Sequence, residues 1–208
     1  MPAPNTQLIV FVKAPRPGLV KTRLAAGLGA EQAAAAYRQL VDHLCPALEE
    51  SANVQLRYDP ADAFPEIKHW LRPGWTSEPQ DQGGLGARLL GAFEGSAARG
   101  FGRTLIIGSD CPWIDGRDLH EAELVLERHD LVLGPAVDGG YWLIGLKQPH
   151  PGLFDGIEWS TERVLRQTVA AAERLGLSHE LLRTLPDVDT EADWIEFMRR
   201  APIRGPGG

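Results

Sequence analysis

The chain has 208 residues, 43% hydrophobic and 24% charged, with a formal net charge of −7. That composition is globular, it argues against sequence-independent nucleic-acid binding, which needs clustered Lys and Arg, and no apolar run approaches the roughly 20 residues of a membrane span. Two cysteines and six histidines give neither a disulfide framework nor a zinc-ligand spacing.

The start Met1-Pro-Ala-Pro-Asn lacks the basic opening and apolar stretch of a signal peptide, so a cytoplasmic protein is expected. Residues 7–13 read as the first strand. A loop with Pro15, Pro17 and Gly18 follows, because two prolines and a glycine do not extend a central strand. Helical pattern resumes near Leu19 and is punctuated by Gly27 and Gly29. Residues 31–50 then form an Ala-rich helix that Pro46 should kink or end. The alternation of Val54, Leu56 and Tyr58 marks a second strand over 53–59.

A short helix is predicted over 61–71, and a short strand or irregular segment over 73–79. A glycine-rich stretch, Gln82 to Arg88, opens a helix running to about Ala98. Leu105, Ile106 and Ile107 read as a strand buried on both faces that stops at Gly108-Ser109-Asp110. Residues 117–128 form a helix, and two apolar strands, 130–135 and 141–147, flank a turn at 137–140. A helix capped by Ser160 should run to about Leu175, a late strand should cover 180–185, and a terminal helix 190–199. Thr190 with Asp193 resembles a capping box. Strands alternating with helices indicate an α/β protein with a mainly parallel sheet covered on both faces, and a single domain over 1–208 is the economical reading.

Four segments carry chemistry. In an open α/β sheet ligands bind outside the carboxyl ends of the strands, and the stretch after the first strand places Lys13, Arg16, Lys21 and Arg23 there. Backbone N–H groups at a helix start favour an anion, and the cations add charge-assisted contacts suited to a nucleotide's phosphates. A solvated basic loop is the competing reading. Asp110 ends a strand at the same edge, as a turn-former or as a ligand for a hard cation carrying phosphates. Gly84 and Arg88 belong to the glycine-rich helix entry, where the backbone can approach a ligand. Asp138-Gly139-Gly140 is explained by a hairpin turn, yet with Tyr141 and Trp142 beside it also suits an acceptor pocket. Asp187 and Asp189 precede the terminal helix, either as caps or as partners of Asp110 on a shared metal. Cys111, with no histidine near it in sequence, reads as a packed thiol.

These segments together resemble, over nearly the whole chain, a bacterial family of GT-A-fold glycosyltransferases long labelled by a domain of unknown function and associated with arsenosugar biosynthesis. The matching motifs are Lys13-x-Pro-x-Pro-Gly-x-x-Lys-Thr-Arg-Leu, Gly108-Ser-Asp-Cys-Pro, Asp138-Gly-Gly-Tyr-x-Leu-Ile-Gly, Trp159-Ser-Thr and Asp187-Val-Asp-Thr. More distantly the chain is similar to nucleotidyltransferases for molybdenum cofactor and phospholactate. The resemblance implies a nucleotide over the first loop (Lys13, Arg16, Gly18, Lys21, Arg23, with Gly84 and Arg88) and Mg2+ or Mn2+ held by Asp110 with Asp189. Asp187 would be a further or alternative ligand. Asp138 and Lys21 would be catalytic, and Gly139, Gly140, Tyr141 and Trp159 would face the acceptor. Gly83-Gly84-Leu85-Gly86 stands where the family has Gly-Asp-Leu-Gly, which leaves the role of that acid unfilled.

The reading is therefore a metal-dependent transferase taking a nucleotide sugar and a small-molecule acceptor. Nucleotidyl transfer from a nucleoside triphosphate, with pyrophosphate leaving, is one alternative. A non-catalytic nucleotide-binding module is the other.

Overall fold

The computed structural model describes residues 5–201. Seven strands form one sheet: β1 (Thr6–Lys13), β2 (Val54–Asp59), β3 (Thr76–Pro79), β4 (Arg103–Gly108), β5 (Leu131–Pro135), β6 (Tyr141–Leu146) and β7 (His179–Leu181). They lie in the order β3-β2-β1-β4-β6-β5-β7. β1 pairs in parallel with β2 and β4, and β5 with β7, while β6 runs antiparallel between β4 and β5. The sheet is thus mostly parallel, as the strand–helix alternation predicts. The antiparallel exception is the strand after Asp138-Gly139, the dipeptide that reads as a hairpin turn.

Seven helices cover it: α1 (Thr22–Leu28), α2 (Ala30–Leu48), α3 (Phe64–Ile67), α4 (Leu85–Ala98), α5 (Gly116–Arg128), α6 (Val164–Arg174) and α7 (Glu191–Arg200). Because β1 is buried on both faces, its side chains alternate between two cores. Leu8, Val10 and Val12 pack with residues of α2 and α5, whereas Ile9 packs with residues of α4 and α6. Gly29, at φ 83°, separates α1 from α2.

Several predicted boundaries differ. Pro46 lies in the last turn of α2, which ends two residues later at Leu48, short of the predicted 50. The predicted helix over 61–71 is the short α3 followed by a 3-10 turn at Lys68–Trp70. The late strand is shorter than 180–185, although Leu185 still bridges Ala136. Ser160 does not cap α6. It adopts a left-handed backbone, φ 63°, inside a turn where Thr161 Oγ1 donates to the Glu158 carbonyl, and the helix begins at Val164. The Thr190 capping box is present, and a second one, Asp115 with Asp118, opens α5.

Candidate functional site

The chemistry-bearing segments meet at the carboxyl edge of the central strands. β1 ends at Lys13, and the chain turns through Gly18, φ 79°, into α1. Lys21 sits just before α1 in a left-handed backbone conformation, φ 49° and ψ 48°, which a non-glycine residue adopts only when its surroundings hold it. Its side chain is held by charge. Its Nζ lies 2.6 Å from Asp110 Oδ1 and 3.0 Å from Asp189 Oδ1, and only 3% of the side chain is exposed. Burial by itself would depress the ammonium's pKa, but the two carboxylates outweigh it and raise it. Arg23 stands 3.8 Å from Asp189 Oδ2 with its side chain largely in solvent.

Backbone and side-chain bonds brace this arrangement. The Tyr37 hydroxyl, carried by α2, accepts from the Lys13 backbone N–H at 2.8 Å and bonds Ser109 Oγ at 2.8 Å, tying the end of β1 to the residue before Asp110. The Val188 N–H donates to the Asp110 carbonyl at 3.0 Å. Asp193 accepts from the N–H groups of Asp189 and Thr190, so the α7 cap also orients Asp189. Tyr37, Ser109 and this second use of Asp193 escaped sequence reading. Only the proximity of Ser109 to Asp110 could have hinted at them.

Asp187 is a half-buried member of the acid group. Burial pushes its carboxyl up to about 7, and Asp110, Asp138 and Asp189 add repulsion that Lys21 only partly offsets. Asp138 is exposed in the β5–β6 turn, with one oxygen accepting from the Gly140 N–H at 2.9 Å. The turn thus uses one oxygen of Asp138. Cys111 is buried, and burial pushes its thiol up to about 12, as befits a packed residue.

The other predicted residues divide. Lys13 is exposed at the end of β1. Arg16 turns from the acid group toward α3, bonding Glu66 at 2.5 Å and Asp62 at 3.1 Å. Arg88 braces the glycine-rich loop instead of standing free, bonding the Gly83 carbonyl, Gln80 Oε1 and, at 3.3 Å, Asp59. Gln80, which sequence reading passed over, anchors that loop by donating to the Val12 and Arg57 carbonyls. Gly84 precedes α4 with open space where a Cβ would lie.

On the acceptor side, Gly139 has φ 89°, and a Cβ there would fall 2.3 Å from the Glu162 carbonyl oxygen, so the 159–163 segment packs directly on the Asp138 turn. Trp159 lies against Gly86 of the glycine-rich entry. Tyr141, half-buried at the start of β6, packs its ring against the core cluster that includes α6 residues, and burial raises its hydroxyl, with Thr168 beside it, well above the ordinary phenol range. Its neighbour Trp142 enters the opposite core, where Gly134 makes room for it and the Arg183 carbonyl accepts from its indole N–H at 3.1 Å.

Asp110 and Asp189 therefore converge on one cationic point, and Asp187 lies within their electrostatic influence. Among the described residues no three carboxylate, imidazole or thiol groups form a ready metal-ligand set. Two carboxylate oxygens suffice for magnesium when phosphates and water supply the rest.

Fold and likeness to known proteins define an enzyme of the glycosyl- or nucleotidyl-transferring class with a nucleotide-diphospho-sugar transferase fold. The chain belongs to the family described as uncharacterized protein conserved in bacteria (DUF2064), whose model matches residues 45–161. It is 33% identical, with a TM-score of 0.87 over 97% of this chain and 89% of the other, to a protein of Desulfovibrio desulfuricans G20 provisionally named a nucleotide-diphospho-sugar transferase. It is also 27% identical over 201 residues, 94% of each chain, to phosphoenolpyruvate guanylyltransferase of Sphaerobacter thermophilus. The fold is shared with CMP:2-keto-3-deoxy-manno-octonic acid synthetase complexed with CTP, at 10% identity and a TM-score of 0.59 over 93% and 96% of the chains. These similarities set aside the non-catalytic module. Among the described residues no helix is long and apolar enough to cross a membrane.

Proposed function

We propose that the protein is a metal-dependent transferase that moves a glycosyl group from a nucleotide-activated sugar to a hydroxyl of a small acceptor. The observation that carries this reading is the convergence of Asp110 Oδ1 and Asp189 Oδ1 on one cationic point, 2.6 and 3.0 Å from Lys21 Nζ, beside the basic loop. That oxygen donor set fits Mg2+ or Mn2+, which Asp110 and Asp189 would hold with Asp187 as a further or alternative ligand. The ion would supply Lewis-acid stabilisation of the leaving diphosphate, an effect worth several kcal/mol of barrier.

Lys13, Lys21 and Arg23 neutralise charge on the same group, and Arg16 joins them only by releasing Glu66. Gly18 and Gly84 let backbone approach the nucleotide, and Arg88 holds the glycine-rich loop in place. The acceptor oxygen bonds to the anomeric carbon as the bond from that carbon to the β-phosphate oxygen breaks. The hydroxyl proton passes to Asp138, whose second oxygen is not used by the turn, and the nucleoside diphosphate leaves. Gly139, Gly140 and Trp159 wall the acceptor side.

The full-length similarity to a guanylyltransferase favours a second reading. There the same edge holds a nucleoside triphosphate, an acceptor phosphate oxygen attacks the α-phosphorus, and pyrophosphate leaves. In-line transfer of this kind needs positioning and charge stabilisation more than a protein nucleophile. Incubating the protein with panels of nucleotide sugars and triphosphates, with and without Mg2+ or Mn2+, separates the two. Release of a nucleoside diphosphate supports glycosyl transfer and release of pyrophosphate supports the second reading. Equal turnover in excess chelator contradicts the metal in both.

A further inference from the structure

The ammonium of Lys21 occupies the place where a cation bridging Asp110 and Asp189 would have to sit. Its Nζ lies 2.6 and 3.0 Å from one oxygen of each, whereas a magnesium or calcium ion sits about 2.0–2.6 Å from carboxylate oxygens. Two cations cannot share that point. The lysine is also well housed there, its side chain almost wholly buried and its backbone in a left-handed conformation. A four-carbon stem with rotatable donors can nevertheless carry its charge elsewhere, and the neighbouring basic loop with Lys13 and Arg23 is where a nucleotide's phosphates would offer it new partners.

We infer that Lys21 is an exchangeable counter-ion: it fills the metal position until a nucleotide arrives, then moves its ammonium from the two carboxylates to the phosphates as a divalent cation takes its place. This rests on the metal reading of Asp110 and Asp189 and adds an order to it. Metal alone binds weakly because it must displace a resident ammonium, and nucleotide and metal strengthen each other's binding. Once displaced, the same residue that masks the acids becomes a phosphate ligand, which couples exposure of the metal site to occupancy of the nucleotide site.

The test is Mn2+ binding to the protein without nucleotide, followed by electron paramagnetic resonance and calorimetry, in wild type, Lys21→Met, Lys21→Arg and Asp110→Asn. Removing the resident charge should tighten Mn2+ binding in Lys21→Met by about tenfold, within the usual span of site-to-site coupling. Lys21→Arg, which keeps a cation, should stay near wild type, and Asp110→Asn should lose the site. Lys21→Met should at the same time bind nucleoside diphosphate more weakly. Mn2+ affinity that is unchanged or weaker in Lys21→Met, at a site still lost in Asp110→Asn, would overturn the exchange and leave the metal reading standing. Absence of Mn2+ binding in wild type and both Lys21 variants, with or without nucleotide, would overturn both. Thermal melting of each variant checks folding, and Lys21→Gln, which also removes the charge, carries the same expected gain in Mn2+ affinity should the methionine variant not fold.

Discussion

The two halves of the sheet's carboxyl edge are built on opposite electrostatic plans. Around β1, β2 and β3 the strands are parallel, the loops are rich in glycine and proline, and cations abound, but many are already matched: Arg16 to Glu66 and Asp62, Arg88 to Asp59, Arg57 to Asp81. Around β4 to β7, Asp110, Asp138 and Asp189 all act on Asp187, and Lys21 is the cation that offsets them. Lys21 joins the halves, with Arg23 at longer range. The difference teaches that a count of basic residues overstates the phosphate site, whereas the acid half has a true surplus of negative charge.

Substitutions can break or sharpen that contrast. The largest effect is expected in the acid half: Asp110→Asn or Asp189→Asn should lower metal-supported turnover by at least about 100-fold, comparable to losing a principal electrostatic stabiliser, with melting temperature little changed. Steady-state kinetics over a Mn2+ series would show it, and near-wild-type rates would return Asp110 to its role as a turn residue.

A second effect concerns pH. Since the Asp187 carboxyl is raised to about 7 from its ordinary 3.8, the folded protein binds more protons than the unfolded chain between those values. Stability present below about pH 4 is therefore lost as pH rises toward 7. Asp187→Asn should remove that loss, raising stability at pH 8 in chelator by on the order of a few kcal/mol and flattening the profile between pH 4 and 7. A profile parallel to wild type in urea titrations would contradict the raised Asp187 carboxyl.

The smallest effect belongs to the basic half. Arg16→Ala removes a half-buried, already paired cation, so nucleotide affinity should change by no more than about twofold, while Lys13→Ala should weaken it further. Calorimetry showing Arg16→Ala to be the more damaging would mean that Arg16 abandons Glu66 when nucleotide binds.

Much of this was legible because it depends on local pattern. The apolar run ending at Asp110, the Asp-Gly turn before β6 and the Thr190 capping box each follow from a few neighbouring residues. The partners of Arg16 were not, because Glu66 lies 50 residues away on a helix whose position depends on the whole sheet. Ser160 misled because a good capping residue was taken into a left-handed turn fixed by Thr161 and the packing on Gly139. Tyr141 and Trp142 looked alike as pocket aromatics, but neighbours on a strand point to opposite faces, and here both faces are core.

The most direct test of the account is the dependence of nucleotide binding on the cation. Nucleoside diphosphate should be titrated into wild type and Asp110→Asn by calorimetry, in Mn2+ and in chelator. The account predicts binding at least about tenfold tighter in Mn2+ for wild type and no such gain for Asp110→Asn. Equal affinity of wild type in both conditions would contradict it.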